Sequence, residues 1–283
     1  MKKYIFRTFS FLLAVSVLTS CLKDDSLVLD PEKGHNVIEF ANPAQISVTG
    51  SIYPLYTISY DLAPEVTVPV TVSYSGPESG APEDITVNIA AGDEALVEAY
   101  NEDQDEHFTY MPASNYAFQS GSAVIKKGEK KATINITFKL GQFDLSQALV
   151  LPLQITSASS GTVSGNFNTI LLNVGAKNIY EGVYKHTYTS TLGNGTNEVT
   201  LVTNGANSVY LDPGLLGVYS NAQTLLIDPA TNRITVVMTS LLPIATDPSS
   251  IYDPETKTLR VKWTSNGGAR TFDETYVFDR KTD

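Results

Sequence analysis

From Val37 onward, apolar and polar residues alternate in short runs, the period of two that a strand with one buried face produces. Tyr56, Ile58, Tyr60 and Leu62 share one parity, with Thr57, Ser59 and Asp61 on the other. The same pattern turns Val68, Val70, Val72 and Tyr74 inward, then Ile134, Ile136 and Phe138, then Leu149, Leu151, Leu153 and Ile155, and finally Ile170, Leu172 and Val174. About seven strands of this kind predict a β-sandwich over residues 37–175. Pro69 and Pro152 fall on the outward parity, which predicts edge strands or bulges, because proline cannot donate to a central ladder. One segment departs from the alternation. Ala95, Leu96, Ala99 and Tyr100 have helical spacing after Asp93, a candidate N-cap, and predict a short helix over 94–101.

Residues 180–283 read as strands throughout. Runs at 183–190, 199–203, 208–211, 224–227, 234–239, 259–263 and 271–278 are separated by turn residues. Asn194-Gly195, Asn204-Gly205 and Asn266-Gly267 are predicted to supply the positive φ angles of tight hairpins. Asp228-Pro229-Ala230-Thr231 and Asp253-Pro254-Glu255-Thr256 open two copies of one pattern, Asp-Pro-x-Thr-x-x-apolar-x-Val. In each, Asp caps a turn, Pro presets φ at its second position and a strand follows. The expected fold is therefore all-β: an immunoglobulin-like sandwich with one short helix, then an antiparallel meander curled into a lipocalin-like partial or closed barrel, with a second sandwich as the alternative.

The first twenty residues carry a basic start (Lys2, Lys3, Arg7) and an apolar run over 9–18, too short for a permanent membrane span. That run ends in Leu18-Thr19-Ser20-Cys21, which resembles the lipobox of bacterial lipoproteins. Cys21 is the sole cysteine. Residues 1–20 are thus expected to be a signal peptide, Cys21 the lipidated N-terminus and 21–36 a tether, giving a chain anchored to the outer membrane by acyl groups and facing the exterior. Leu22-Lys23-Asp24-Asp25 resembles the export tag of Bacteroidota surface lipoproteins. Asp25-Ser26-Leu27 matches the O-glycosylation motif of that phylum, with Ser26 the acceptor.

Several ordered strings resemble one family. Glu94 to Asn101 (EALVEAYN), Met111-Pro112 with Tyr116, Val124-Ile125-Lys126-Lys127-Gly128-Glu129, and Leu151-Pro152-Leu153-Gln154-Ile155 are similar to the N-terminal domain of unknown function shared by many Bacteroidota surface lipoproteins. Met111 stands where that family has Leu. The resemblance covers 37–174 and implies an immunoglobulin-like scaffold in proteins linked to glycan capture. It implies no catalytic residue.

Charge narrows the partners. The chain has 19 Lys plus Arg against 30 Asp plus Glu, and a net charge of −11. Loss of Lys2, Lys3 and Arg7 with the signal deepens this to −14, which argues against nucleic acid as a partner. Enzyme templates fail on residue type: there is no Gly-x-Ser-x-Gly, no phosphate loop and no His-Glu-x-x-His. The acidic run 101–106 begins like a calcium loop, but Glu106 stands where Gly is needed and Pro112 where a bidentate Glu is needed, so a solvated loop is expected. His35, His107 and His186 read as surface histidines. No metal or cofactor is expected.

Glycan sites on β domains use an aromatic face with amide, carboxylate or guanidinium partners. Trp263 shares its parity with Leu259 and Val261, which favours the core. Tyr184, His186 and Tyr188 share a parity that could line a core or a barrel mouth. The Gly-punctuated segment 212–221 carries Leu215, Leu216, Val218 and Tyr219, either for recognition or to plug one barrel end. The candidate ligand-binding set is Tyr219, Asn221, Trp263, Asn266 and Arg270, with Tyr184 and Tyr188. The expected function is a non-catalytic glycan-binding accessory protein of a polysaccharide-utilisation system, working beside an outer-membrane transporter or neighbouring surface lipoproteins. The alternatives are a structural or adhesive protein with a protein partner, and a glycoside hydrolase using two carboxylates.

Overall fold

The computed structural model describes residues 34–41, 50–239 and 243–282. Cys21 and Ser26 lie outside the described residues. The alternation of the first half produces β1 (Val37–Phe40), β2 (Leu55–Asp61), β3 (Val66–Ser75), β4 (Ile85–Ala91), β5 (Thr109–Tyr110), β6 (Tyr116–Phe118), β7 (Ser122–Ile125), β8 (Lys131–Phe138), β9 (Leu149–Ala158), β10 (Thr162–Val163) and β11 (Thr169–Lys177). The strands beyond the expected seven are mostly two to four residues long, too short for alternation to show. One sheet runs β10-β1-β3-β8-β6; the other runs β2-β11-β9-β4-β7, with β5 beside β9. Between them lie the rows that alternation predicts: Val68, Val70 and Val72, Ile134, Ile136 and Phe138, Leu151 and Leu153, Ile170 and Leu172.

The helix α1 (Glu94–Gln104) extends three residues past its expected end, so most of the acidic run is its last turn rather than a loop. Asp105 stops it in the left-handed region at φ 54°, donating its N–H to Asn101 O. Asp93 takes the extended N-cap backbone but makes no side-chain cap bond. Val97 and Tyr100 of α1 pack with Leu55, Val150 and Leu171, a second small core on the outer face of one sheet. This corrects the expectation for Pro152. It is buried in the central strand β9, covered on its outward parity by α1, and sits where the pairing with β4 ends at Ala91↔Leu153. Pro69 is exposed in β3, beyond the Val72–Ser75 stretch that pairs with β1.

The second half comprises β12 (Gly182–Ser190), β13 (Gly193–Gly205), β14 (Ser208–Asp212), β15 (Gln223–Ile227), β16 (Ile234–Met238), β17 (Ile244–Thr246), β18 (Ile251–Asp253), β19 (Thr258–Ser265) and β20 (Arg270–Arg280). Their order is β16-β15-β14-β13-β12-β20-β19-β17, with β18 also on β19. First and last strands pair along their length, and the seam between β16 and β17/β18 is bridged by Arg233↔Ile251 and by Tyr252 N–H to Asn232 O at 2.8 Å. The result is a nearly closed up-and-down barrel, with β17 and β18 acting as one interrupted strand. An even number of strands returns the chain to the end where it entered. That end holds Asn178, whose amide donates to Gly205 O and Ser208 O, and Lys177, whose Nζ donates to Thr282 O.

The two Asp-Pro repeats behave as one device used twice. Asp228 accepts from Ala230 N–H at 2.9 Å and Thr231 Oγ1 at 2.8 Å. Asp253 accepts from Glu255 N–H at 3.0 Å and Thr256 Oγ1 at 2.8 Å. Each turn then places Asn232 or Lys257 at positive φ. Asn266 and Gly267 also take the positive φ angles predicted, 53° and 63°. The other two Asn-Gly pairs do not form the turns. The β12–β13 hairpin closes at Ser190↔Gly193, leaving Asn194-Gly195 inside β13, and the β13–β14 hairpin closes at Gly205↔Ser208, after Asn204.

Candidate functional site

Inward positions of the barrel strands carry polar groups at one level. The register aligns Tyr276 of β20, His186 of β12 and Asn197 of β13 in one row, and Glu274 lies one inward position away along β20. Gln223, at the start of β15, reaches Glu274 from a strand that does not neighbour β20. Glu274 is fully buried. Its Oε1 accepts from Trp263 Nε1 at 2.6 Å and Gln223 Nε2 at 3.3 Å. Its Oε2 accepts from the Tyr276 hydroxyl at 2.5 Å and lies 3.0 Å from His186 Nε2.

Hydrogen-bond accounting fixes the proton inventory of this group. Asn197 donates its Nδ2 to Leu216 O at 2.9 Å, so its Oδ1 faces His186 Nδ1, 3.0 Å away, as an acceptor. His186 therefore carries a proton on Nδ1, and one further proton must lie between Nε2 and Glu274 Oε2. Imidazolium with carboxylate and imidazole with carboxylic acid satisfy this equally, and in both the pair has no net charge. Burial pushes the Tyr276 phenol well above its ordinary range, with the Glu274 carboxyl adding to the effect. His186 stacks on Tyr276, centroids 4.3 Å apart and planes within 6°, and on Tyr188 at 5.2 Å. The surface-histidine expectation is thus overturned for His186: its inward parity on a strand paired on both sides leaves it fully buried. The sequence signal for Glu274 was available, since it shares its parity with Phe272 and Tyr276, but two of its partners, His186 and Gln223, lie on strands 88 and 51 residues away.

The barrel end away from the sandwich junction is a mouth. A cavity of about 280 Å³ opens there, lined by Leu192, Leu215, Tyr219, Asn221, Met238, Ile244, Trp263, Ser265, Arg270 and Phe272. Trp263 and Phe272, cross-strand partners on β19 and β20, stack at 3.8 Å with planes within 5°. Trp263 is both core and cavity wall: it is buried, and its indole N–H is tied to Glu274 below.

The segment between β14 and β15 divides its labour. Leu215 and Leu216 fold down and are buried, while Val218 and Tyr219 remain 59% and 42% exposed. Leu215 N–H bonds Asn221 O at 2.9 Å, and Tyr219 N–H bonds Leu215 O at 3.1 Å. Gly214 is required by this closure, because a Cβ there would lie 2.5 Å from Tyr219 O and 2.6 Å from Asn221 O at a φ of 130°. The segment is therefore plug and rim together.

Of the candidate residues, Tyr219, Asn221, Trp263 and Arg270 meet at this cavity. Asn266 is exposed on the adjoining turn and does not line it; its N–H is held by Pro243 O at 3.2 Å. Tyr184 lies near the opposite end, fully buried, with its hydroxyl on Tyr180 O at 2.8 Å. Tyr188 stays half-buried over His186. Leu192, Met238, Ile244 and Phe272 are cavity walls outside the candidate set: Met238 and Phe272 fall within expected strands, Leu192 and Ile244 between them.

Comparison with known proteins bears on both halves. Residues 182–280 match the model of a domain of unknown function (DUF7015), and residues 40–162 match the model of an N-terminal domain. Among curated proteins the chain has no match. A Bacteroides ovatus protein of unknown function is similar at 15% identity over 88% of this chain and 96% of its own, with a TM-score of 0.55. A second from the same organism is similar at 17% identity over 86% and 93%, with a TM-score of 0.51. These likenesses concern fold alone. An auxiliary nutrient binding protein from Bacteroides thetaiotaomicron aligns at 15% identity over 84% of this chain and 93% of its own, and its TM-score of 0.47 is too low to transfer a function.

Proposed function

We propose that this chain is a non-catalytic accessory lipoprotein that holds a glycan at the barrel mouth, displayed outside the outer membrane through lipid on Cys21, beside a transporter or hydrolase that uses the glycan. The observation that carries the reading is the mouth cavity, where an exposed aromatic ring, an amide, a hydroxyl and a guanidinium converge with apolar walls on one concave surface. Tyr219 offers its face to the C–H surface of a sugar, while Asn221, Ser265 and Arg270 address hydroxyl and acidic substituents. The cavity is smaller than most drug-sized sites, which span about 300–1,000 Å³, so it suits one end or one branch of a polymer. Isothermal titration of the mature chain against a panel of plant and host polysaccharides tests it. Binding is expected, weakened about tenfold by Tyr219→Ala; a blank panel rejects the reading. The anchor is tested separately, with Cys21→Ser expected to move the protein from the membrane to the soluble fraction.

A protein partner is the second reading. Tyr210, Leu226 and Val237 stand 36%, 43% and 46% exposed on the outer faces of the adjacent strands β14, β15 and β16. Such a stripe suits a protein surface better than a sugar. Aspartate substitutions at Leu226 and Val237 that abolish a pull-down while leaving glycan binding intact would favour it.

A further inference from the structure

We infer that the sugar held at the mouth carries an anionic group and that Arg270 reads it. The inference rests on the glycan reading above and specifies the ligand of that site. Arg270 is the first residue of β20, paired with Ser265 across the turn formed by Asn266, Gly267 and Gly268. All three take positive φ, 53°, 63° and 90°, so the turn that presents Arg270 is tightly set.

Three observations give this guanidinium its role. First, the ten described residues around the cavity include no carboxylate, although the chain as a whole has a net charge of −11. Second, Lys262 pairs with Asp273 at 2.9 Å, Arg280 pairs with Glu198 at 2.8 Å and Arg233 donates to Pro248 O, whereas Arg270 is the cation that lines the cavity. Arg270 makes no ion pair among the described residues. Third, the one carboxyl group beneath the cavity floor, Glu274, has both oxygens committed to Trp263, Gln223, Tyr276 and His186, and its charge is balanced within the pair. Among the described residues the mouth therefore presents one uncompensated positive charge beside the stacked wall of Trp263 and Phe272. A planar guanidinium forks onto two oxygens of one anionic substituent, and Asn221 and Ser265 remain for neighbouring hydroxyls. The chemistry recognised is a sugar ring bearing a carboxylate or a sulfate.

The test uses the mature full-length chain and three probes: an oligosaccharide of uronic acids, the same oligosaccharide with its carboxyl groups reduced to alcohols, and a sulfated oligosaccharide of similar length. At least one anionic probe is expected to bind about tenfold or more tightly than the reduced one, the range of a charge-assisted pair. Whichever anionic probe binds better identifies the group. Arg270→Gln should erase the preference and its salt dependence, Arg270→Lys should retain part of it, and Arg260→Gln, on the outward parity of β19, should change nothing. Trp263 fluorescence verifies that each variant is folded. Equal binding of reduced and anionic probes, unmoved by Arg270→Gln, overturns this inference and leaves the glycan reading standing. No binding of any probe, together with a blank polysaccharide panel, overturns both.

Discussion

The sandwich encloses Val68, Val70, Ile136, Phe138, Leu151 and Leu172, side chains without a polar atom, whereas the barrel encloses Glu274, His186, Gln223 and Asn197 among its aromatic rings. An apolar interior is held by burial, tolerates local repacking and specifies little beyond shape. A buried polar group is costly unless each donor finds its acceptor, so it holds the rings bonded to it in one arrangement. In this chain the polar interior lies directly under the mouth, where Trp263 belongs to both. Under the proposed function, the sandwich would serve as support and the barrel interior would fix the geometry of the mouth.

The largest effect should come from removing the acceptor. Glu274→Leu leaves the Trp263 indole, the Tyr276 hydroxyl and the His186 ring without their partner and should cost about 3–5 kcal/mol of barrel stability. Because Trp263 is the sole tryptophan, its fluorescence during urea unfolding reports on the barrel. A midpoint within error of the parent would show that the network contributes nothing, and the contrast between the two interiors would fail. Leu151→Ala, at a fully buried sandwich position, should cost about 2–5 kcal/mol through its cavity. It should lower the far-UV circular dichroism transition of the sandwich and leave the Trp263 transition in place; a matching shift of both would show that the halves unfold as one.

Smaller effects should sharpen the likeness between the two Asp-Pro turns. Asp228→Ala and Asp253→Ala remove the same pair of bonds from equivalent hairpins, so their melting temperatures should fall modestly and by similar amounts. A large difference would show that only one turn closes the barrel. Smallest is the effect of acid. The Asp228 and Asp253 carboxyls are held below the ordinary range chiefly by Thr231 and Thr256, and Glu198 by Arg280. A carboxyl depressed in the folded state contributes stability above its unfolded value and loses that contribution as pH falls through the folded one. Melting temperature should therefore be level above about pH 5 and decline below about pH 4. A rise on acidification would contradict the assigned bonds.

Long strands and repeated turns were legible because both are local. The rows Val68, Val70, Val72 and Ile134, Ile136, Phe138 lie inward as their parity requires, and each Asp-Pro-x-Thr string carries its own cap. Asn194-Gly195 and Asn204-Gly205 misled because a turn signal gives way when the register of the flanking strands is set elsewhere; the hairpins close at Gly193 and at Ser208. β17 and β18 escaped notice because three residues contain too little alternation. Pro152 resembled an edge residue until α1 covered the outer face of its sheet.

Composition, parity and turn chemistry thus determined by themselves that this chain folds as two β units, which side chains share a face along the long strands, and that Trp263 sits with Leu259 and Val261 rather than on the surface. Tertiary structure alone decided that the second unit closes upon itself, that Tyr219, Asn221, Trp263 and Arg270 share one opening, and that His186 meets Glu274 across 88 residues of chain. The reason is range: alternation and capping act over a few residues, whereas closure sets the register between strands at opposite ends of the sequence, and that register brings those groups together.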